Sequence, residues 1–82
     1  MFEVKVTIKL KKGISDPEGY NTLKALHLLG FDKVKEAKTI RIFDLQIEGK
    51  DKKIILKDVE KMCRRLLTNP VIHDYDIKLI GD

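Results

Sequence analysis

The sequence predicts an α+β fold in which strands and helices alternate along a single domain, residues 1–82. Three stretches alternate apolar and polar residues with a period of two: residues 2–10, 34–48 and 73–80. Two stretches between them repeat apolar residues at helical spacing: residues 17–29 and 53–68. The first pattern is typical of a strand with one buried face, and the second of an amphipathic helix. The predicted order is therefore β-α-β-α-β.

The first strand, over residues 2–10, carries its apolar side chains on one face. These are Phe2, Val4, Val6, Ile8 and Leu10. A short loop leads into helix one, which is expected to begin after Asp16. The Asp16 side chain can accept hydrogen bonds from free backbone N–H groups, and Pro17 suits the first helical position.

Helix one has an apolar stripe that we expect to face the sheet: Leu23, Leu26 and Leu29. Leu28 projects about 100° away from this stripe and is expected to be exposed. Gly30 suits the position just after the last helical turn. We expect Phe31 to return the chain to the core.

The middle strand, over residues 34–48, is long and places Phe43, Leu45 and Ile47 on one face. If it were broken in two, the order would become β-α-β-β-α-β, which is ferredoxin-like. Because every strand offers one apolar face, both helices are expected to cover the same face of an antiparallel sheet, as a two-layer sandwich. Part of the long strand should then extend beyond its neighbour.

Helix two has a broad apolar arc: Ile55, Val59, Met62, Cys63, Leu66 and Leu67. The ring of Pro70 disfavours a helical conformation at Asn69, so the helix is expected to end near Thr68. Its opposite side carries a row of cations: Lys53, Lys57, Lys61, Arg64 and Arg65. Such a row is usually solvated, and docking on an acidic protein surface and then on a nucleic acid are the next interpretations. Glu60 can pair with Arg64 one turn away.

No catalytic, cofactor-binding or metal-binding set stands out. His27 and His73 lie in no recognisable acid–base or metal motif, and the glycines lie singly, without a phosphate-binding loop. Cys63 is the single cysteine, which leaves no internal disulfide and no zinc site, and we expect it to be a buried structural thiol. The net charge of +4 permits a nucleic-acid partner without requiring one. With no secretory or membrane-spanning pattern, we expect a cytoplasmic protein.

Several apolar residues fall outside the predicted core. Ile40, Ile42 and Ile80 lie on the polar side of their strands, and Leu28 lies off the stripe of helix one. With an overhanging strand that has unpaired backbone groups, they predict self-association as a homodimer or a dimer of dimers. The candidate interface residues are Leu28, Ile40, Arg41, Ile42, Asn69, Pro70, Val71 and Ile72.

A ten-residue segment, 66–75, resembles the Leu-Leu-x-Asn-Pro-Val-Ile-Glu-x-Tyr signature of the PurS family. Other landmarks occur in that family's order and spacing: Asp16-Pro17-Glu18-Gly19, Leu29-Gly30-Phe31 with Val34, and Met62-Cys63. Three departures are visible: His73 in place of the usual acid, Lys38-Thr39-Ile40-Arg41 in place of an Arg-x-Gly-Lys-like run, and Thr68 in place of alanine. The resemblance covers nearly the whole chain and implies a PurS-like fold.

The resemblance implies a non-catalytic subunit of phosphoribosylformylglycinamidine synthase, an ATP-dependent, glutamine-using ligase of purine biosynthesis. In that family a small-subunit dimer links the large synthase subunit to a glutaminase subunit and helps ammonia pass between them. ATP and magnesium are then expected on the large subunit, and neither a nucleic acid nor a membrane is expected as a partner. A small effector-binding regulatory module remains the alternative, followed by an RNA-binding domain.

Overall fold

The structure, a computed structural model, describes residues 1–81. Its elements, in order, are β1 (Phe2–Leu10), α1 (Pro17–Leu28), β2 (Ile40–Ile47), α2 (Lys52–Met62), a π-helical turn (Cys63–Leu67, the π-turn) and β3 (His73–Gly81). The three strands form one antiparallel sheet in the order β2-β1-β3. The predicted α+β class and the order of the elements are confirmed.

The core lies between one face of the sheet and α2. Val6 on the central strand pairs with Phe43 of β2 and with Ile77 of β3, so the apolar residues of all three strands share a face. The side chains buried in this core come from β1, α2 and the π-turn: Phe2, Val4, Val6, Ile8, Ile55, Val59 and Cys63. The predicted face of β1 and the burial of Cys63 are confirmed.

The middle strand is shorter than its sequence pattern indicates. It begins at Ile40, whereas the pattern predicted a strand from residue 34, and among residues 1–81 it is the single strand between the two helices. Backbone groups ahead of it are used by the α1 region: the Thr39 N–H donates to Asp16 Oδ2 at 2.8 Å, and the Val34 carbonyl lies 2.7 Å from His27 Nε2. Groups paired in this way are not free to extend the sheet.

Helix α1 differs most from its expected packing. Gly19 is the only residue within the helix that is buried, and Phe31, which was expected in the core, is 57% exposed. The molecule is 51 Å long and 14 Å thin, and its radius of gyration is 16.3 Å, against about 12 Å for a compact chain of this length. A nine-residue strand spans only about 30 Å, so the α1 region lengthens the molecule beyond the sheet.

The end of α2 departs from α-helical geometry. The Thr68 N–H donates to the Cys63 carbonyl at 2.9 Å, an i→i+5 hydrogen bond, and the Thr68 hydroxyl donates to the same oxygen at 2.9 Å. Each residue of such a turn advances less around the axis than in an α-helix, which carries Leu67 to the core side and Leu66 away from it. Leu66 is 83% exposed, so its predicted place in the apolar arc is wrong, although the predicted end of the helix near Thr68 is confirmed.

Candidate interaction surfaces

The histidines lie apart and make local backbone hydrogen bonds. His27 Nε2 faces the Val34 carbonyl at 2.7 Å, and because a carbonyl can only accept, Nε2 carries the proton. His73 Nδ1 accepts from the Asn69 N–H at 2.9 Å. Within residues 1–81, no group of three or more His, Cys, Asp or Glu side chains could hold a metal ion. Both histidines thus have structural partners.

Cys63 is buried beneath the sheet at the start of the π-turn. Burial, and then the charge of Glu60, raise the pKa of its thiol. A thiol that stays protonated and enclosed is a poor nucleophile, because the thiolate is the reactive form. Cys63 therefore serves the core as a small apolar side chain.

A polar contact fixes α2 to β3. The Tyr75 hydroxyl donates to Glu60 Oε1 at 2.6 Å, and Arg64 donates to the same oxygen at 3.2 Å. The hydrogen bond to Glu60 raises the pKa of Tyr75. The predicted pair of Glu60 with Arg64 is confirmed, and the arrangement positions the helix on the sheet.

Residues 16–39, which we call the helix lobe, are closed by the side chain of Asp16. Its Oδ1 accepts from the Gly19 N–H at 3.0 Å, as predicted for a helix cap, and its Oδ2 accepts from the Thr39 N–H at 2.8 Å. These hydrogen bonds, that of Thr39 before that of Gly19, lower the pKa of the Asp16 carboxyl. A Cβ atom at Gly19 would collide with the Ala37 carbonyl oxygen and the Asp16 carboxylate. Asp16 and Gly19 together hold the start of α1 against the residues that lead into β2.

The far end of the helix lobe exposes large apolar side chains. Leu28 is 87% exposed, as predicted, and Leu29 is 73% exposed, although it was expected to face the sheet. The chain turns there through Gly30, whose φ of 98° suits glycine, and the exposed Phe31 follows. The sequence pattern identified Leu29 and Phe31 as apolar but could not show that the sheet does not reach them.

The candidate interface residues on the edge strand β2 lie on opposite faces of the sheet. Ile40 pairs with Lys9 and Ile42 with Thr7, so both isoleucines lie on the polar face of the sheet, as predicted, and both are exposed. Arg41 pairs with Ile8 and belongs to the opposite face. The three consecutive candidates therefore do not form one surface.

The turn after the π-turn is held by the Asn69 side chain and by a backbone hydrogen bond to Lys11. Asn69 Oδ1 accepts from the Val71 N–H at 3.1 Å, and the Ile72 carbonyl accepts from the Lys11 N–H at 2.8 Å. The Asn69 side chain thus bonds locally to the turn. Pro70 and Ile40 line the same cleft on the polar face of the sheet, so the structure brings these two candidates together, whereas Leu28 lies on the helix lobe.

The described residues contain no helix that combines the length and the apolar character needed to cross a membrane.

Comparisons with known proteins agree with this fold over almost the whole chain. The family model PurS, described as phosphoribosylformylglycinamidine (FGAM) synthase, matches residues 3–81. The phosphoribosylformylglycinamidine synthase subunit PurS of Methanocaldococcus jannaschii is 48% identical over 79 residues, which cover 96% of this chain and 95% of that protein. The subunit of the same name from Bacillus subtilis is 36% identical over 75 residues, 92% of this chain and 88% of that protein.

Solved structures give the same result. The crystal structure of M. jannaschii PurS superposes with a TM-score of 0.89 at 45% identity, covering 100% of this chain and 99% of that chain. The B. subtilis PurS structure has a TM-score of 0.85 at 34% identity, covering 96% and 98%. A chain in the PurLQS structure of Thermotoga maritima, at 24% identity and a TM-score of 0.85, covers 96% of each chain and shares the fold. This chain belongs to the PurS family.

Proposed function

We propose that this chain is the small subunit of phosphoribosylformylglycinamidine synthase and that it joins the ATP-dependent synthase subunit to the glutaminase subunit. The observation that carries the proposal is the family match over residues 3–81, which includes every described strand and helix except the first residue of β1. The site geometry agrees with it. His27, His73 and Cys63 are each accounted for by the fold, which fits a subunit that organises other chains rather than one that carries out chemistry.

In this role the chain assists the transfer of ammonia. Glutamine hydrolysis on one subunit releases ammonia, and the ATP-dependent subunit uses it to convert formylglycinamide ribonucleotide to the amidine. Holding the two sites in a fixed relation replaces a search through solvent by a local transfer, which raises the effective concentration of ammonia at its acceptor. ATP and magnesium bind the large subunit, and the complex works in the cytoplasm.

The subunit acts as a homodimer or a dimer of dimers. The core consists of seven buried apolar residues, while the helix lobe holds Leu28, Leu29 and Phe31 in solvent. On the core face of β2, the side chains of Phe43 and Leu45 are only partly buried. A second copy can cover both surfaces, and the free edge of β2 supplies backbone groups for pairing between chains.

Neither alternative function is favoured. The relatives compared above carry the name of a synthase subunit rather than of a regulatory or RNA-binding protein. The strand aromatics Phe2, Phe43 and Tyr75 lie on the core face of the sheet. RNA-binding sheets of this size stack bases on aromatics of the open face, and the strands here place none there.

The test is reconstitution of the synthase from its three purified subunits. Omitting this chain should abolish most of the glutamine-dependent activity and leave the ammonia-dependent activity of the large subunit nearly unchanged, because added ammonia needs no transfer between sites. Equal glutamine-dependent activity with and without the chain would contradict the proposal. The M. jannaschii relative, added in its place, is the positive control.

A further inference from the structure

The net positive charge of the protein is concentrated on one segment. Residues 50–65, which include α2 and the start of the π-turn, hold seven of the 17 Lys and Arg residues but only three of the 13 Asp and Glu residues. The net charge of this segment therefore equals the +4 of the whole chain, and the remaining residues balance. Two of its three acids are already used, Asp51 as the cap of α2 and Glu60 in the contact with Tyr75.

The same segment exposes large apolar side chains between its cations. Ile54, Met62 and Leu66 all face solvent. Lys57, Lys61 and Arg65 follow one another at steps of four residues, which places them along one side of the helix. The exposed apolar residues run beside them, with Ile54 eight residues before Met62 and Leu66 four residues after it. We call these six residues the α2 ridge. The buried Val59 and Cys63 lie on the other side of the helix. The ridge is thus amphipathic on its outer surface: cations flank aliphatic groups.

The π-turn gives the ridge its last apolar residue. In a continuous α-helix, Leu66 would fall on the arc of Ile55 and Val59 and would be buried; the wider turn directs it outward and places Leu67 against the core instead. Val71, in the turn that follows, is also exposed, at 79%. A geometry that is rare in proteins therefore has the effect of exposing a leucine beside two arginines.

We propose that the α2 ridge is the surface through which this chain docks on another subunit of the synthase, and that the docking surface of that subunit has carboxylates around an apolar centre. The inference rests on the proposed function and adds to it the face of contact and its chemistry. Cations of the ridge would pair with the carboxylates, while Met62 and Leu66 would be removed from water at the centre. Charged pairs at the rim guide association and apolar groups at the centre hold the complex.

A second copy of this chain does not fit the ridge. In a two-fold dimer the same patch meets itself, so Lys61 and Arg65 of one copy would face the same cations of the other. Like charges placed together at an interface oppose association. The helix lobe and the edge of β2 remain the surfaces for self-association, which leaves the ridge free for a different protein.

A nucleic acid fits the ridge less well than a protein does. Single-stranded nucleic acids are held by cations together with aromatic side chains on which bases stack, and no aromatic residue lies in residues 50–65. Phosphates would leave Met62 and Leu66 without an apolar partner. The exposed aliphatic groups between the cations therefore favour a protein surface.

The test compares two double variants of the full chain. Lys61→Glu with Leu66→Gln alters the ridge, and Lys12→Glu with Ile14→Gln makes the same change of charge and apolar content at exposed residues of the loop after β1, outside the ridge, the helix lobe and β2. Binding of each to the purified ATP-dependent subunit and to the purified glutaminase subunit is measured by biolayer interferometry at low and at physiological ionic strength. The ridge variant should lose at least about tenfold in affinity for one of the two subunits, and the control should bind like the parent. Binding of the parent should weaken with salt.

The outcomes separate the two proposals. If the parent chain binds the subunits and the ridge variant binds both of them equally well, the docking inference is wrong and the proposed function stands. If the parent binds neither subunit and reconstituted activity does not depend on it, the proposed function fails and the inference fails with it. If the ridge variant loses affinity for single-stranded RNA but not for the subunits, the ridge is a nucleic-acid site and the inference is overturned. Arg65→Glu alone, which keeps every apolar side chain, checks that the effect does not come from altered folding.

Discussion

The two ends of this molecule are each stabilised by a different kind of interaction. In the sheet and α2, fully buried side chains such as Val4, Val6 and Val59 form a dry core, and apolar burial supplies the stability. In the helix lobe, the Asp16 carboxylate and the close approach at Gly19 fix the chain, while Leu28 and Leu29 remain in solvent. One end has a buried core of its own, and the other is ordered by local contacts and leaves its largest apolar side chains uncovered.

The difference shows how a short chain can separate folding from association. A small domain buries a limited fraction of its surface, and in this one most of the buried surface lies between the sheet and α2. Helix α1 and the turn after it are then free to present leucines to another chain. Substitutions in the core should therefore act on folding, and substitutions at the exposed leucines of the helix lobe should act mainly on assembly.

The largest expected effect is unfolding by a charge in the core. Val59→Asp places a carboxylate where the parent side chain is completely buried, with a cost of several kcal/mol in the free energy of unfolding. Leu28→Asp, at an exposed position of the other helix, should change that free energy by less than about 0.5 kcal/mol once dimerisation is taken into account. Urea unfolding followed by circular dichroism at several protein concentrations measures both. Equal destabilisation by the two variants would remove the distinction between the ends.

The next effect concerns closure of the helix lobe at Gly19. Gly19→Ala should cost about 1–3 kcal/mol locally, because the added methyl group meets the Ala37 carbonyl oxygen, which is backbone and cannot rotate away. Gly81→Ala is the matched control, since a Cβ there meets no atom within 4 Å. Hydrogen exchange should show faster exchange of the Thr39 amide in Gly19→Ala, with β1 amides much less affected. Unchanged protection at Thr39 would show that the close approach is not required.

A smaller effect is expected on self-association. Leu29→Glu in the helix lobe and Ile42→Lys on the edge strand should each weaken the dimer by about tenfold or more, equal to about 1.4 kcal/mol, because each places a charge where we propose that a second copy packs. Sedimentation equilibrium gives the dissociation constants. A parent chain that is monomeric at micromolar concentration would contradict the proposed dimer. If only one variant acts, its position identifies which end forms the interface.

The smallest expected effects concern how stability depends on pH. Acid should destabilise one end of the molecule and alkali the other. The pKa of Asp16 is lowered from 3.8 by its bonds to the Thr39 and Gly19 N–H groups, so its contribution to stability is present above 3.8 and is lost as the pH falls through the folded-state pKa. The pKa of Tyr75 is raised from 10.0 by its bond to Glu60, so its contribution is present below 10.0 and is lost as the pH rises through the folded-state pKa. Acid should therefore loosen the helix lobe, and alkali should loosen the contact of α2 with β3.

These two titrations can be followed separately. The Thr39 amide resonance reports on Asp16, and Asp16→Asn should abolish its acid titration. The difference in tyrosinate absorbance between the parent and Tyr75→Phe reports on Tyr75 alone, because the other tyrosine, Tyr20, is common to both. An Asp16 pKa at or above 3.8, or a Tyr75 pKa at or below 10.0, would contradict the assigned hydrogen bonds.

Patterns among residues close together in the sequence predicted most of the strands and helices. The alternation of residues 2–10 gave the bounds of β1, the cap at Asp16 and the proline at Pro17 placed the start of α1, and Pro70 placed the end of the second helical segment. Each of these depends on side chains and backbone within a few residues of one another. The polar-face position of Ile40 and Ile42 followed from the same alternation and is confirmed by the register.

The sequence by itself determined which faces are apolar and where most elements start and stop, because both depend on neighbours along the chain. The tertiary structure decided what covers those faces. It tied Thr39 to Asp16 and so shortened β2, left Leu29 and Phe31 in solvent at the end of the helix lobe, and turned Leu66 outward through the π-turn. An apolar pattern states that a surface is better removed from water, but it does not state whether the same chain or another one removes it, since hydrophobic burial has no direction.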